Sequence, residues 1–312
     1  MKMKTELLVQ PSGEIWKMTR TELKEDINTR DRDLAAIKEW LRKQPHLPNE
    51  WEDGPLMTFL RGSSYSLEKC KRKLDMYFTM RAACPEFFSN RDPASPGLDD
   101  VFTSKIQGPP LPGLTPNGRR VTICRGVYPN LNTQEITDSL KLALMIGDVR
   151  LTEEREGVAG DIYVLDAAIL GPSLLAKLSP ATVKKFMICI QEAYPVKLKE
   201  VHIINTSPIV ERFVNFVKPF LKEKIRKRIF IHREIKELYK YIPQDMLPVD
   251  YGGSCGSMDD LQAQWKVKLH EYRDWFILQE SVKADESRRP GRPTNYDELF
   301  GIDGTFRQLA ID

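Results

Sequence analysis

Short apolar runs alternate with helical patterns along the middle of the chain, and this order restricts the fold more than any other feature of the sequence. The runs RVTICRG, DIYVLDAAI and EVHIIN have the length and apolar character of strands, and longer amphipathic stretches separate them. These runs lack polar alternation, which is typical of strands that are buried on both faces. Because strand–helix–strand order requires crossover connections, we predict an α/β fold with a mainly parallel sheet.

We place this α/β domain at residues 119–256. Composition divides the rest of the chain into further regions on either side of it. Residues 1–90 carry helical patterns, including one over 19–44, and predict a helical N-terminal domain. Residues 91–118 are rich in proline and predict a linker with little regular structure. Residues 257–312 predict a C-terminal helix and an extended tail. The tail is expected to dock through three apolar residues, Leu299, Phe300 and Phe306.

Two helices have clear start signals in the sequence. Ser179 is followed by Pro180, which suits an N-cap and the first helical position, where a missing N–H costs nothing. Ser257 is followed at the capping-box position by Asp260. We expect the helix that begins after Ser257 to continue without a break over 258–279.

Charge, hydropathy and cysteine content exclude several classes of protein. The net charge is only +3, so attraction to an anionic partner requires a local patch, and we expect no nucleic-acid partner. No uncharged apolar run reaches the length of about 18 residues that a membrane-spanning helix needs. The five cysteines are odd in number and widely spaced, which indicates free thiols in a reducing compartment and hence a cytoplasmic protein.

One segment matches the motif of a hydrolase nucleophile. GGSCG at 252–256 fits G-x-S-x-G, but that motif needs a strand before it and a helix directly after Ser254. The preceding PVDYGG is polar, and the only downstream histidine, His270, lies inside a predicted helix. A glycine turn therefore explains this segment better than an esterase nucleophile.

Other candidates for chemistry are few. Asp166 interrupts the apolar run IYVLDAA, and a carboxylate at the end of a parallel strand can be catalytic. It can equally cap the following turn or pair with a cation, and we favour this structural role. The four histidines lack metal-ligand spacing. We therefore predict no catalytic residues and no metal site.

The stretch FVNFVKPFLKEKIRKRIFIH places an apolar stripe beside a block of cations. The apolar positions follow the i, i+3, i+4, i+7, i+8 spacing of a helix. They are Phe213, Phe216, Val217, Phe220 and Leu221. Six basic residues between 218 and 228 face only one acid, Glu223, and Lys197 and Lys199 precede the adjacent strand. An ordinary core helix with a solvated basic face is one explanation, but one-signed charge favours contact with an anionic membrane.

Several stretches of the sequence resemble a known protein family. AYPVKLKEVHIINTSPIVERFVNFVKPFLKEKIRKRIFIH and MLPVDYGG resemble the CRAL-TRIO lipid-binding family, and FLRGSSYSLEKCKRKLDMYFTMRAACPEFF resembles the helical domain that precedes its lipid domain. The tail SRRPGRPTNYDELFGIDGTFRQLAID resembles the insect branch. The resemblance covers roughly residues 30–280. It implies a sheet that floors an apolar cavity, with a mobile lid helix over it.

The resemblance also implies roles for individual residues. It makes residues 208–228 the lid segment, with Phe216 and Phe220 meeting the membrane. Ligand-lining positions would be Leu140, Ala143, Gly147, Tyr163, Leu165, Phe186, Cys189, Ile190, Leu198, Val201, Phe213, Val217 and Leu221. A basic cleft for phosphoinositide headgroups would consist of Lys197, Lys199, Lys224 and Arg228.

The chain departs from the family pattern at several positions. Ser63, in FLRGS, stands where the family has a second arginine, which predicts weaker headgroup binding. DAAI stands in place of DLEG after the floor strand, and Tyr163 is bulky where a small residue is usual. The shape and polarity of the ligand therefore cannot be carried over from a relative.

The resemblance implies a carrier of one hydrophobic small molecule, and not an enzyme. Candidate ligands are tocopherol, a retinoid, a carotenoid, another isoprenoid-like lipid or a phospholipid, with no cofactor besides this bound lipid. We expect a monomer that associates reversibly with phosphoinositide-containing membranes. The alternative is a protein that is recruited to such membranes without a dedicated cargo.

Overall fold

A six-stranded mixed sheet organises the molecule. The structure is a computed structural model that describes residues 5–301. The strands are β1 (Ile106–Gln107), β2 (Pro110–Leu114), β3 (Arg119–Gly126), β4 (Gly160–Asp166), β5 (Leu198–Ile204) and β6 (Ile229–Ile231). β3, β4, β5 and β6 are parallel neighbours in that order, and β1 and β2 both pair antiparallel with β3. The predicted mainly parallel sheet is therefore confirmed.

Helices cover the sheet and form the N-terminal domain. They are α1 (Gly13–Leu23), α2 (Arg30–Arg42), α3 (Asp53–Gly62), α4 (Leu67–Ala83), α5 (Pro85–Phe88), α6 (Pro96–Asp100), α7 (Thr133–Glu153), α8 (Pro172–Lys177), α9 (Pro180–Ile188), α10 (Pro208–Val217), α11 (Glu223–Arg226), α12 (Met258–Glu271), α13 (Arg273–Gln279) and α14 (Tyr296–Phe300). Each parallel strand pair is joined by a helical crossover. Within residues 5–301, no helix is both long and apolar enough to cross a membrane.

Two expectations for the first third of the chain were wrong. Residues 19–44 do not form one helix, because Lys24 adopts a left-handed conformation (φ 58°) that ends α1. The proline-rich residues 91–118 are not an irregular linker, since they contain α6, a π-helical turn, β1 and β2. Pro96 opens α6 and Pro110 opens the edge strand β2, two places where proline is tolerated.

The C-terminal region matches its prediction in part. Ser257 begins α12 with the predicted capping box, in which the Asp260 N–H donates to Ser257 Oγ at 3.0 Å. The helix does not run unbroken over 258–279, because Tyr272 separates α12 from α13. The tail is less extended than predicted. It forms the short helix α14, where Phe300 is buried against the N-terminal core with Leu299 beside it. Phe306 lies outside the described residues.

A buried ionic cluster joins the N-terminal domain to the sheet domain, and we call it the Asp148 cluster. One carboxylate oxygen of Asp148 accepts hydrogen bonds from the hydroxyls of Tyr77 at 2.9 Å and Tyr194 at 2.6 Å. The other oxygen lies 3.2 Å from Nη1 of Arg81 and 2.7 Å from Nη2 of Arg91. The cluster connects α4, the segment after α5, α7 and the segment before β5, so these elements are held in one arrangement.

Candidate functional site

Helix α7 has one apolar face that is less buried than its other two faces. Leu142 packs toward the C-terminal helices and Leu144 toward the N-terminal helices. The third face carries Leu140, Ala143 and Gly147, of which Ala143 is exposed although both of its chain neighbours are buried. An accessible apolar stripe in the middle of an otherwise buried helix is suited to contact with a hydrophobic ligand.

Strand β4 shows the same asymmetry between its faces. Ile162 and Val164 are fully buried on one face, whereas Tyr163 and Leu165 on the other face are only half-buried. Val201 on β5, which is in register with Tyr163, is also half-buried. The expected burial of the strands on both faces is therefore wrong for this face, which retains accessible apolar surface.

Helix α10 lies across this half-buried face. Its side chains Val210 and Val214 cluster with Ile203 of β5 and Leu165 of β4. The helix has apolar residues on the side that faces the sheet and exposed Glu211 and Arg212 on its other side. It thus covers part of the apolar floor, as the predicted lid segment would.

The lid segment is not one continuous helix. α10 ends at Val217, a 3₁₀ turn follows over Lys218–Phe220, and α11 is a single turn. Pro219 lacks the N–H that would continue the helical hydrogen bonds, so the predicted stripe is interrupted. Phe216 and Phe220 nevertheless meet, with ring centroids 6.1 Å apart in an edge-to-face arrangement.

The side chain of Gln191 fastens the end of the lid segment. Its amide donates to the Phe220 carbonyl at 2.9 Å and accepts from the Lys222 N–H at 2.8 Å. The Lys222 ammonium also pairs with Glu192. Gln191 lies in a π-helical turn after α9. Its two hydrogen bonds therefore tie the end of the lid segment to that turn.

A cavity of about 80 Å³ lies between α7, β4 and the segment before β5. Gly147 and Tyr163, both predicted to contact ligand, are on its wall, together with Tyr194 and Val196. Gly147 permits the close approach of Tyr194, since a Cβ there would lie 3.2 Å from the tyrosine ring. The cavity is therefore shaped by residues that also belong to the Asp148 cluster.

One end of this cavity is polar. Arg150 pairs with Asp161 at 2.7 Å and with Glu154 at 3.1 Å. Burial, and then the charge of Asp161, raises the pKa of Tyr163, whose hydroxyl also accepts a hydrogen bond from Arg150. The Tyr163 hydroxyl is therefore neutral and lies close to the ion pair of Arg150 and Asp161.

The other predicted ligand residues differ in accessibility. Most are half-buried, and these are Leu140, Leu165, Phe186, Ile190, Leu198, Val201, Phe213 and Leu221. Val217 is buried. Cys189 is fully buried within the core between the N-terminal helices and α7. Cys189 therefore has no accessible surface in this arrangement, and its lining role stays a prediction.

The structure brings the four predicted cations of the basic cleft into one region. Arg228 donates to the carbonyl of Leu198, the residue between Lys197 and Lys199. Lys224 is close enough for its charge to lower the pKa of Lys197, which burial, the largest cause, brings to about 8. A glutamate that the sequence did not reveal, Glu22 of α1, contacts both Lys197 and Lys199.

Ion pairs balance more of the positive charge on the lid segment than predicted. Glu223 pairs with Lys227 across one helical turn at 2.7 Å, and Lys222 pairs with Glu192. Lys224 has no ion-pair partner among residues 5–301 and is exposed. Among the four cations of the basic cleft, Lys224 is therefore the most available to an external anion.

The FLRGS segment is tightly packed against the segment that precedes β5. A Cβ at Gly62 would lie 2.1 Å from the carbonyl oxygen of Pro195, so only glycine fits this close approach. Ser63 is buried, and Arg61 is held by Glu25 at 3.0 and 3.1 Å. Neither Arg61 nor Ser63 is therefore available to an anion in this arrangement.

The candidates for catalysis have structural roles. Asp166 accepts hydrogen bonds from the side chains of Asn205 and Tyr251 and from the backbone of Ala168, as favoured above. Ser254 donates to a backbone carbonyl, and a 3₁₀ turn rather than a strand precedes GGSCG. Across the described ranges, no group of three or more His, Cys, Asp or Glu side chains could hold a metal ion.

Comparison with known proteins agrees with this geometry. Residues 109–253 match the CRAL/TRIO domain, and residues 26–98 match the Pinta-like, UBA domain. The chain is 30% identical over 260 residues to the alpha-tocopherol transfer protein-like protein of Mus musculus, covering 83% of this chain and 74% of the relative. It is 24% identical over 274 residues to Clavesin-2 of Homo sapiens, covering 86% and 83%.

The chain belongs to the CRAL/TRIO family, whose members are lipid-binding transfer proteins. This membership fits the prediction of a protein that is not an enzyme. A crystal structure of Sfh5 superposes with a TM-score of 0.46 at 12% identity, covering 96% of this chain and 100% of that one. The insect branch suggested by the tail stays a prediction.

Proposed function

We propose that the protein binds one small hydrophobic ligand beneath α10 and transfers it between membranes. The ligand class is tocopherol, a retinoid, a carotenoid or another isoprenoid-like lipid. The observation that carries this proposal is the accessible apolar stripe of α7, with Ala143 exposed between buried neighbours. The half-buried face of β4 supports it, because Tyr163 and Gly147 share one cavity wall.

Burial of apolar surface would supply the affinity for such a ligand. A ligand that buries about 500 Å² gains on the order of 12 kcal/mol before the costs of association. The present cavity of about 80 Å³ is too small for such a ligand and its lining includes no residue of the lid segment, so the ligand needs further space beside the β4 face that α10 covers. Phosphoinositide headgroups at the basic cleft would assist docking and opening, since the cleft and the lid segment share Lys224 and Arg228.

Filling the α7 stripe should block binding. Ala143→Trp is expected to weaken binding of a fluorescent tocopherol analogue about tenfold or more, because the indole occupies the space of the ligand. Titration followed by fluorescence measures the affinity. Ala35→Trp, at an exposed alanine of α2, makes the same change outside the site and should leave the affinity unchanged. Equal affinities of the two variants would contradict the proposed binding site.

The paired phenylalanines of the lid segment should contribute to membrane contact. Replacing Phe216 and Phe220 by Asp is expected to reduce co-sedimentation with liposomes about tenfold, since two half-buried rings that could enter the lipid are lost. Replacing Phe216 and Phe220 by Leu keeps both side chains apolar, and this variant should bind liposomes nearly as well as the parent. Undiminished co-sedimentation of the Asp variant would show that these rings do not meet lipid.

Tyr163 should favour a ligand with an oxygen acceptor at the polar end of the cavity. Its hydroxyl accepts from Arg150 and can donate to the ligand. Tyr163→Phe is expected to cost about 1–3 kcal/mol for an oxygenated ligand and little for a pure hydrocarbon. Isothermal titration with both ligand types checks this, and the same affinity of parent and variant for the oxygenated ligand would refute the assignment.

A further inference from the structure

The last turn of α1 lies against the basic cleft. A carboxylate oxygen of Glu22 pairs with the ammonium of Lys199, and the backbone carbonyl of Glu22 accepts from the Lys197 ammonium at 3.3 Å. The next residue, Leu23, is fully buried and lines the same cavity as Lys197. The N-terminal helix therefore places one acidic side chain where an external anion would bind.

The charges around Glu22 keep its carboxylate ionised. The hydrogen bond from Lys199 is the largest cause of a lowered pKa for Glu22, and the charges of Lys199, Lys197 and Arg119 add to it against the opposing effect of burial. The environment of Lys197 disfavours its charged form, in contrast to that of Glu22. Its pKa falls to about 8 through burial and through Lys199, Lys24 and Lys224, while Glu22 alone opposes this fall. The cleft thus holds one carboxylate among several cations.

Glu22 can leave the cleft without unfolding α1. Its side chain is 45% exposed. The helix is held elsewhere by the Trp16 indole N–H, which donates to Glu156 at 3.0 Å, and by Arg20, which pairs with Glu25 and Glu156. Rotation of one side chain therefore suffices to free Lys199 for another anion.

We propose that Glu22 acts as an internal competitor for the phosphate position, so that any headgroup binds at Lys199 only by displacing this carboxylate. This inference rests on the proposed function of the cleft as a headgroup site. A headgroup with one phosphate replaces one ion pair with a similar one and gains little. A headgroup with further phosphates also reaches Lys224 and Arg228, and these added charge-assisted bonds outweigh the contact that is lost.

The test compares the parent with Glu22→Gln on two kinds of vesicle. Both contain phosphatidylcholine, with either phosphatidylinositol or phosphatidylinositol bisphosphate added. Loss of the competitor should strengthen binding to both kinds of vesicle by about the same factor, two- to fivefold, which is the range for a partly exposed ion pair, because either headgroup must displace Glu22. Glu14→Gln makes the same change on α1 at a residue that pairs only with Lys17 in the described part of the chain, and should leave binding to both vesicles unchanged.

The outcomes separate this inference from the proposed function. If the parent binds the bisphosphate vesicles and Glu22→Gln binds neither kind of vesicle more tightly than the parent, the competitor role is wrong and the headgroup site stands. If neither protein binds either vesicle, the headgroup site and the competitor role both fail. Soluble inositol trisphosphate should compete with the vesicles. Equal competition by the same concentration of inorganic phosphate would show a simple phosphate site and would overturn the assignment of the cleft to headgroups.

Discussion

Replacing Asp148 by asparagine is expected to lower the free energy of unfolding by about 3–5 kcal/mol, the range for removing one partner of a buried ion pair. The side chains of Asp148 and Arg91 are fully buried, and that of Arg81 is nearly so. A neutral amide leaves two buried guanidinium groups without their counter-charge. Because the Asp148 cluster joins α4 to α7 and the cavity wall, the loss should also loosen the N-terminal domain from the sheet domain.

Urea denaturation followed by circular dichroism measures this change. Asp53→Asn is the matched control, since Asp53 pairs with Lys38 on the surface at 2.6 Å. This control should change stability by about 0.5 kcal/mol or less. A loss for Asp148→Asn no larger than that of the control would contradict the account of the cluster.

The same residue should make stability depend on pH in a defined direction. Burial would raise the pKa of Asp148, but the charges of Arg91 and Arg81 and the hydrogen bond from Tyr194 outweigh it and lower the pKa. The stabilisation is present above the unfolded value of about 4 and is lost as the pH falls from there through the lowered folded value. The parent should therefore lose more stability than Asp148→Asn on acidification below about pH 4.

The second large effect is expected in the basic cleft. Lys199→Glu with Lys224→Glu should weaken binding to phosphatidylinositol bisphosphate vesicles by about tenfold to a hundredfold, because two charge-assisted contacts become repulsive. Affinity for the apolar ligand in solution should barely change. Arg228 is left intact because its guanidinium donates to the Leu198 carbonyl, so that its replacement would disturb β5.

Vesicle co-sedimentation and the rate of ligand transfer check this effect. Lys69→Glu with Lys283→Glu makes the same charge change at two exposed lysines that contact none of the cleft residues within 5–301. The parent's transfer rate should also fall with added salt, since exposed charges are screened. The cleft has no role in docking if the first double variant transfers ligand as fast as the control.

The sequence predicts the features of the fold that depend on local pattern. Apolar runs with helical crossovers define the parallel strands, and Ser257 with Asp260 marks the start of α12. The sequence did not reveal features that depend on contacts between residues far apart in the chain. Glu22 and Lys199 are 177 residues apart in the chain, and no local pattern relates them. The positive charge of the lid segment was clear from the sequence, whereas the pairing of Lys222 with Glu192 required the fold.

The proline-rich segment 91–118 shows why composition alone misleads. Proline lacks an N–H and is excluded from central strands, so the segment was expected to be irregular. Pro96 instead occupies the first turn of α6, and Pro110 and Pro112 lie in the edge strand β2, two places where proline is tolerated. Arg91, in the same segment, is fully buried beside Asp148. Neither the family resemblance nor the residue spacing predicted the pairing of Arg91 with Asp148.

Mass spectrometry of lipids extracted from the purified full-length protein, expressed in eukaryotic cells, tests the central claim most directly. The account predicts one apolar isoprenoid-like lipid per chain in the parent and in Ala35→Trp, and a strongly reduced amount in Ala143→Trp. Absence of any stoichiometric lipid from the parent, with binding to phosphoinositide vesicles retained, would contradict the carrier function and would support membrane recruitment without a cargo.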